Sequence, residues 1–210
     1  VRLWPIAALW ITSTLAILGA EKRVQSLQVV FKPLTTLLFF AVIGRPETTF
    51  ARWVTAGIAL SVIGDIALLS DSNRAFVVGL VAFLLAHIAY VIAFVGVAAW
   101  SPHVAIVAIV IVAASLMLLR LIWKGAAGLH AATIAYAAVI SAMVISASAT
   151  VGGPLLMAPY AAVGAVLFYI SDASLALNRF RKPLPHSALL AMGVYWLGQL
   201  GIAIAAAASF

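Results

Sequence analysis

The chain contains no cysteine among its 210 residues. That excludes a disulfide framework, a cysteine-ligated zinc site and a thiol nucleophile, and it leaves the redox compartment open. Charge is almost as scarce. Asp, Glu, Lys and Arg make up 8% of the residues, against ~25% in an ordinary soluble domain, so a water-soluble fold is excluded. Period-two alternation over segments of ~10 residues is absent too, which excludes a transmembrane β-barrel. GxSxG, HExxH and P-loop patterns do not occur, which removes the elbow serine hydrolases, the zincin proteases and the P-loop NTPases.

What remains is apolar: 66% of the residues are hydrophobic and the mean hydropathy is +1.23. About 20 helical residues cross a hydrocarbon core ~30 Å thick. The expected fold class is therefore an all-α polytopic membrane helix bundle with eight transmembrane helices. The pattern puts them over about 3–19, 24–43, 52–70, 75–97, 102–121, 130–148, 155–177 and 187–209, within a single transmembrane domain of residues 1–210. Short breaks rich in Gly, Pro and charge, such as "GRPETT" (44–49) and "NRFRKPLPH" (178–186), make neighbouring helices antiparallel. No cleavable leader is expected, because the first apolar run ends in "LGAEKRV" and another span follows at once.

The net charge of +7 reads as topology rather than nucleic-acid binding. The odd-numbered loops carry Lys22, Arg23, Arg74, Arg120, Lys124, Arg179, Arg181 and Lys182; the amino terminus and the even loops carry Arg2, Arg45 and Arg52. By the positive-inside rule the odd loops are expected in the cytoplasm and both termini outside, in the inner (plasma) membrane of a bacterium. "SVIGDIALLSDSNR" (61–74) and "FYISDASLALNR" (168–179) each place an Asp about a turn from a helix end with Asn-Arg beyond it. Four helices separate them, which suggests a four-plus-four parallel repeat.

Charges inside spans are rare and by default functional. This chain has Lys32 in helix two, Asp65 in helix three and Asp172 in helix seven, with His87 in helix four. At 1.5 Å per residue, both aspartates lie ~7–8 Å from the cytoplasmic end, Lys32 ~12 Å in, and His87 near mid-bilayer. Gln25, Gln28, Lys32, Thr35 and Thr36 share one helix face, and Tyr90, Ser171, Asn178, Tyr195 and Gln199 fall in phase on theirs. A polar stripe on a membrane helix faces the interior or a wet cavity, so a polar pocket open to the cytoplasm is expected, walled by helices two, three, four, seven and eight. Taken singly, each member has a structural reading: an ion pair, an interfacial aspartate, a packing histidine, interhelical hydrogen bonding. Taken together, two carboxyls against one interior lysine leave one carboxyl without a counter-charge. A protonated carboxyl beside an ionised one is what general acid–base chemistry needs. One histidine without HxxxH spacing argues against a metal centre. The tryptophans mostly fit interfacial belts.

The ordered blocks "FKPLTTLL" (31–38), "GDIALL" (64–69), "GLVAFLLAHIAY" (79–90), "GAVLFYISDASLALNRF" (164–180) and "YWLGQLGIA" (195–203) resemble the YhhN-like membrane proteins, the lysoplasmalogenase family. The resemblance spans helices two, three, four, seven and eight; helices one, five and six carry nothing diagnostic. It implies a hydrolase that cleaves the vinyl-ether bond of a lysoplasmalogen to a fatty aldehyde and glycerophospho-ethanolamine or -choline, with a lysophospholipid as substrate and no metal or organic cofactor. The expected catalytic residues are Asp65, Asp172 and His87. The expected substrate-binding residues are Lys32, Tyr90, Ser171, Asn178, Arg179, Tyr195 and Gln199. The other classes to weigh are a proton-coupled transporter using the same buried groups and a lipid-binding scaffold.

Overall fold

The computed structural model describes residues 3–182 and 184–209. Among these the chain forms eight helices long and apolar enough to cross a membrane, and no strand. They are α1 (Leu3–Glu21), α2 (Gln25–Ile43), α3 (Thr49–Ala67), α4 (Asn73–Val95), α5 (Pro102–Ile122), α6 (His130–Ser148), α7 (Ala158–Phe180) and α8 (Val194–Ala207). A π-helical turn, Leu189–Gly193, leads into α8 and completes the eighth span, Leu189–Ala207. The all-helical membrane architecture expected from composition is borne out. Arg2, counted above in the charge asymmetry, lies outside the described residues.

α3 and α7 are each displaced three residues from their expected bounds, and capping explains the first. Thr48 accepts the Ala51 N–H at 3.1 Å, so α3 starts at Thr49 rather than near residue 52. It stops at Ala67, where the Leu69 and Ser70 N–H groups bond carbonyls three residues back. Ser72 then accepts the Ala75 N–H at 3.1 Å and opens α4. Asp65 therefore stands in the last turn of α3. α7 is displaced the other way and continues to Phe180, leaving Asp172 eight residues from its end, about 12 Å. Asn73 is the first residue of α4, whereas Asn178 is still inside α7. The two look-alike segments are thus not placed alike, and the repeat is not borne out at the residues that prompted it.

Close helix pairing depends on small residues, since lipid supplies no hydrophobic drive between helices. α3 packs along α4, and α7 along α8. A side chain at Gly57 would occupy the space of the Tyr90 ring, and one at Gly64 that of the Phe83 ring. The α7 and α8 backbones meet at Gly164 and Gly198. Gly57→Leu is expected to cost about 1–3 kcal/mol by overpacking and to lower the melting temperature in detergent; an unchanged melting temperature would contradict this packing. α5 is the most peripheral helix: Ile106, Ile109 and Val110 are each more than half exposed, which suits hydrocarbon rather than water.

Candidate active site

Helix phase delivers most of the interior polar groups to one place, at the end of the bundle that carries the odd-numbered loops. A cavity of about 440 Å³ opens there. Lys32 of α2, Asp65 of α3, Asp172 of α7 and Tyr195 of α8 line it, with Ser171, Asn178 and Arg179 nearer its mouth. α1, α2, α3, α4, α7, the π turn and α8 all contribute to the wall.

Asp65 is almost fully buried and fully engaged. Its Oδ2 accepts from the Thr36 hydroxyl at 2.5 Å and from the Tyr195 hydroxyl at 3.1 Å. Its Oδ1 faces the Lys32 ammonium at 3.6 Å. Trp196 Nε1 donates to Thr36 Oγ1 at 3.2 Å, so a second layer holds the first donor in place. A polar chain continues deeper. Gln199 Nε2 donates to Ser61 Oγ at 3.0 Å and to the Tyr195 hydroxyl at 3.4 Å. Tyr90 donates to Gln199 Oε1 at 2.8 Å. Beyond it Val54, Ile58, Phe94 and Ile202 are completely buried, which closes the cavity toward the opposite end.

Asp172 is built differently. Tyr136 of α6 donates to its Oδ2 at 2.5 Å, and His87 Nε2 lies 3.6 Å from that same oxygen. Among the described residues no group donates to Oδ1, and the side chain remains 12% exposed. One oxygen is held by Tyr136; the other is left open on a side chain that lines the cavity. Asp172 also borders a narrow apolar cleft of about 60 Å³ formed by α4, α5, α6 and α7. It stands in the partition between the wet cavity and the apolar cleft, together with Leu68, Phe76, Phe83 and Leu175.

The remaining expected residues fall into two groups. Arg179 donates to Asn73 Oδ1 and stacks 4.5 Å over the Phe76 ring, so its guanidinium is fixed at the cavity mouth. Asn178 accepts the Leu184 N–H at 2.7 Å and orders the loop after α7. Ser171 donates to the Ala191 carbonyl at 2.5 Å. That carbonyl lies in the π turn, so the bond ties α7 to the lead-in of α8. The second group does not reach the cavity. His87, Tyr90 and Gln199 are fully buried and absent from its wall. His87 packs edge-on against Phe168 and Tyr136, with ring centroids 4.7 and 5.3 Å away. Neither of its ring nitrogens has a hydrogen bond among the described residues. His87, expected from the sequence among the catalytic residues, thus lies behind Asp172 rather than on the cavity wall.

Sequence reasoning passed over Tyr136 and Trp196. Tyr136 shares a helix face with Thr133 and Ser141, a polar phase that was readable on α6. Trp196 is buried against Thr36 rather than placed in an interfacial belt, whereas Trp4, Trp10 and Trp100 are more than half exposed. Tyr136→Phe keeps the ring and removes the donor to Asp172. If Asp172 acts as an acid, the loss is expected to lower turnover ~10–100-fold with little change in KM, because the donor steadies the carboxylate that forms as the proton leaves; unaltered turnover would remove Tyr136 from the site.

A sequence model of the YhhN family matches residues 27–206, a span that contains every ionisable residue of the cavity named above. The chain belongs to the YhhN family. A human relative named lysoplasmalogenase TMEM86B is 30% identical over 175 residues, covering 83% of this chain and 72% of that protein. A Mycobacterium tuberculosis protein named lysoplasmalogenase is 31% identical over 177 residues, covering 81% of this chain and 65% of that protein. A Dictyostelium discoideum lysoplasmalogenase homolog is 30% identical over 208 residues, covering 81% of this chain and 68% of that protein. The YhhN chain therefore spans about two thirds of the length of these relatives. No solved structure matches it.

Proposed function

We propose that this YhhN protein is a membrane-embedded ether hydrolase that cleaves the vinyl-ether bond of a lysoplasmalogen. The products are a fatty aldehyde and glycerophospho-ethanolamine or -choline. The carrying observation is the position of Asp172, between a polar cavity and an apolar cleft, with one carboxyl oxygen bare. A single-chain ether lipid has its reacting bond at the same kind of boundary. Family membership and the names of the relatives point to the same substrate.

The chemistry needs a proton and a water. Asp172 supplies the proton from Oδ1 to the vinyl carbon remote from oxygen, and an oxocarbenium ion forms at the other. Asp65, paired with the Lys32 ammonium, offsets that positive charge at short range, as carboxylates do at glycosyl cations. Water adds to the cationic carbon and returns a proton to Asp172. The resulting hemiacetal passes its hydroxyl proton to the glycerol oxygen as the carbon–oxygen bond breaks, leaving aldehyde and alcohol. Arg179 is placed at the mouth to receive the phosphate.

In this reading the basic loops lie on the cytoplasmic face of a bacterial inner membrane, and the headgroup enters from that side. A one-ended cavity favours the enzyme over a carrier. The hydroxyls of Ser146, Ser148 and Thr150, at the far end of α6, bond carbonyls of their own turn instead of extending a path. The deciding experiment is incubation of purified protein with a 1-alk-1′-enyl lysophosphatidylethanolamine, with aldehyde measured directly and the saturated 1-alkyl lipid as control. Aldehyde from the alkenyl lipid alone is the expected result; none from either overturns the reading.

A further inference from the structure

We propose that the apolar cleft between α4, α5, α6 and α7 is the binding site for the hydrocarbon chain of a lysophospholipid, taking the carbons next to the ether. The inference rests on the hydrolase reading and specifies where its substrate lies. Three other depressions compete for the chain. One, of about 240 Å³, runs between α1, α2 and α8 past Trp10, Phe39 and Trp196. Another, of about 340 Å³, lies outside the α7–α8 seam at Gly164 and Gly201. A third, of about 580 Å³, lies on the outer side of α5 and α6 at Arg120 and Trp123. All three are larger than the cleft, yet none shares a wall residue with the polar cavity. The cleft shares five, and Asp172 is among them. Only a chain in the cleft can leave the ether oxygen in the cavity and bring the vinyl carbons past the bare Oδ1.

Its shape sets what it can hold. A water needs ~10–15 Å³ of such volume, so about 60 Å³ accommodates only a short run of methylenes. The deep end is closed by Tyr169 and Ser115, whose hydroxyls lie 3.0 Å apart. The sides are kept open by the small residues Ala137, Ala173 and Ala176. α5, which forms the outer wall, is the most lipid-exposed helix. The rest of the chain therefore passes out beneath α5 into the bilayer. One narrow slot leaves no room for a second acyl chain. The aldehyde has a direct apolar way out, while the headgroup leaves through the cavity.

The test needs no turnover. A saturated 1-alkyl lysophosphatidylethanolamine with a diazirine on its third or fourth chain carbon is photolysed with the protein in detergent, and the labelled residues are mapped by mass spectrometry. Labels concentrated on the cleft faces of α5 and α6 are expected. Labels confined to the α1–α2–α8 groove, the α7–α8 seam or the outer α5–α6 face, or spread evenly over all helices, overturn the proposal. Ala137→Leu narrows the slot and should reduce cleft labelling at least fivefold; Val163→Leu, on the lipid-facing side of α7, should leave it unchanged. If Ala137→Leu does not fold, Leu119→Ala widens the slot and should admit a branched chain that the parent excludes. Cleft labelling without aldehyde release from the alkenyl lipid would leave this site standing and remove the hydrolase. Release with labelling elsewhere would do the reverse.

Discussion

Asp172→Asn is expected to abolish aldehyde release while the protein keeps its helical content and melting temperature in detergent. The substitution preserves shape. The amide oxygen still accepts from Tyr136, which now approaches Oδ2 at 2.5 Å. The amide nitrogen then takes the place of Oδ1, away from Tyr136 and His87, which both face Oδ2. No buried charge is created, so folding has little reason to suffer. What disappears is the carboxyl proton that the proposed mechanism delivers at the junction of the two compartments. Removing a general acid costs typically 10²–10⁴-fold, and protonating carbon depends on the acid more than protonating oxygen does. Turnover within tenfold of the parent, in a protein that still melts normally, would show that the proton comes from elsewhere. His87→Gln should be milder, because His87 sits behind Asp172 and lines no part of the cavity.

Burial cost made much of this site legible in the sequence. A membrane helix carries an ionisable residue at a penalty of a few kcal/mol, so Lys32, Asp65 and Asp172 stood out, and helix phase was enough to turn them toward one another. Other features depended on contacts that no periodicity encodes. The displacement of α3 follows from the caps at Thr48 and Ser72, two threonine and serine choices among several in their loops. Together with the opposite displacement of α7 it put the two aspartates at different distances from their helix ends, so the suggested repeat is not confirmed. The π turn before α8 has no signature in "LLAMG"; the Ser171 bond to the Ala191 carbonyl within it is a tertiary contact. His87 was grouped with the catalytic residues because it fell in phase with the other interior polar groups and inside a family-like block, but which side of a helix meets the cavity and which meets Phe168 is a matter of packing. Tyr136 was overlooked because a tyrosine on an otherwise small-residue helix carries no charge to betray it.

The second large effect separates folding from chemistry at Asp65. Lys32→Met leaves the Asp65 carboxyl with its two hydroxyl donors but no cation. Asp65→Asn leaves the Lys32 ammonium buried without an anion at 3.6 Å. Breaking a buried pair from one side costs about 3–5 kcal/mol, whereas replacing both partners is often close to neutral. Because water reaches this pair through the cavity, the single losses should fall toward the lower end of that range. The double variant Lys32→Met/Asp65→Asn removes both charges together, and the amide oxygen introduced at position 65 still accepts from Thr36 and Tyr195. It should recover most of the stability of the parent, giving a coupling energy opposite in sign to the single losses. Turnover should not recover with it, because the proposed mechanism uses the Asp65 carboxylate to offset the oxocarbenium charge. If the double variant is both stable and active, the Lys32–Asp65 pair is structural, and Asp172 works without a second carboxylate. If it is as unstable as the singles, the Thr36–Trp196 and Tyr195–Gln199 hydrogen bonds depend on the charge itself, and the network rather than the ion pair holds α2, α3 and α8 together.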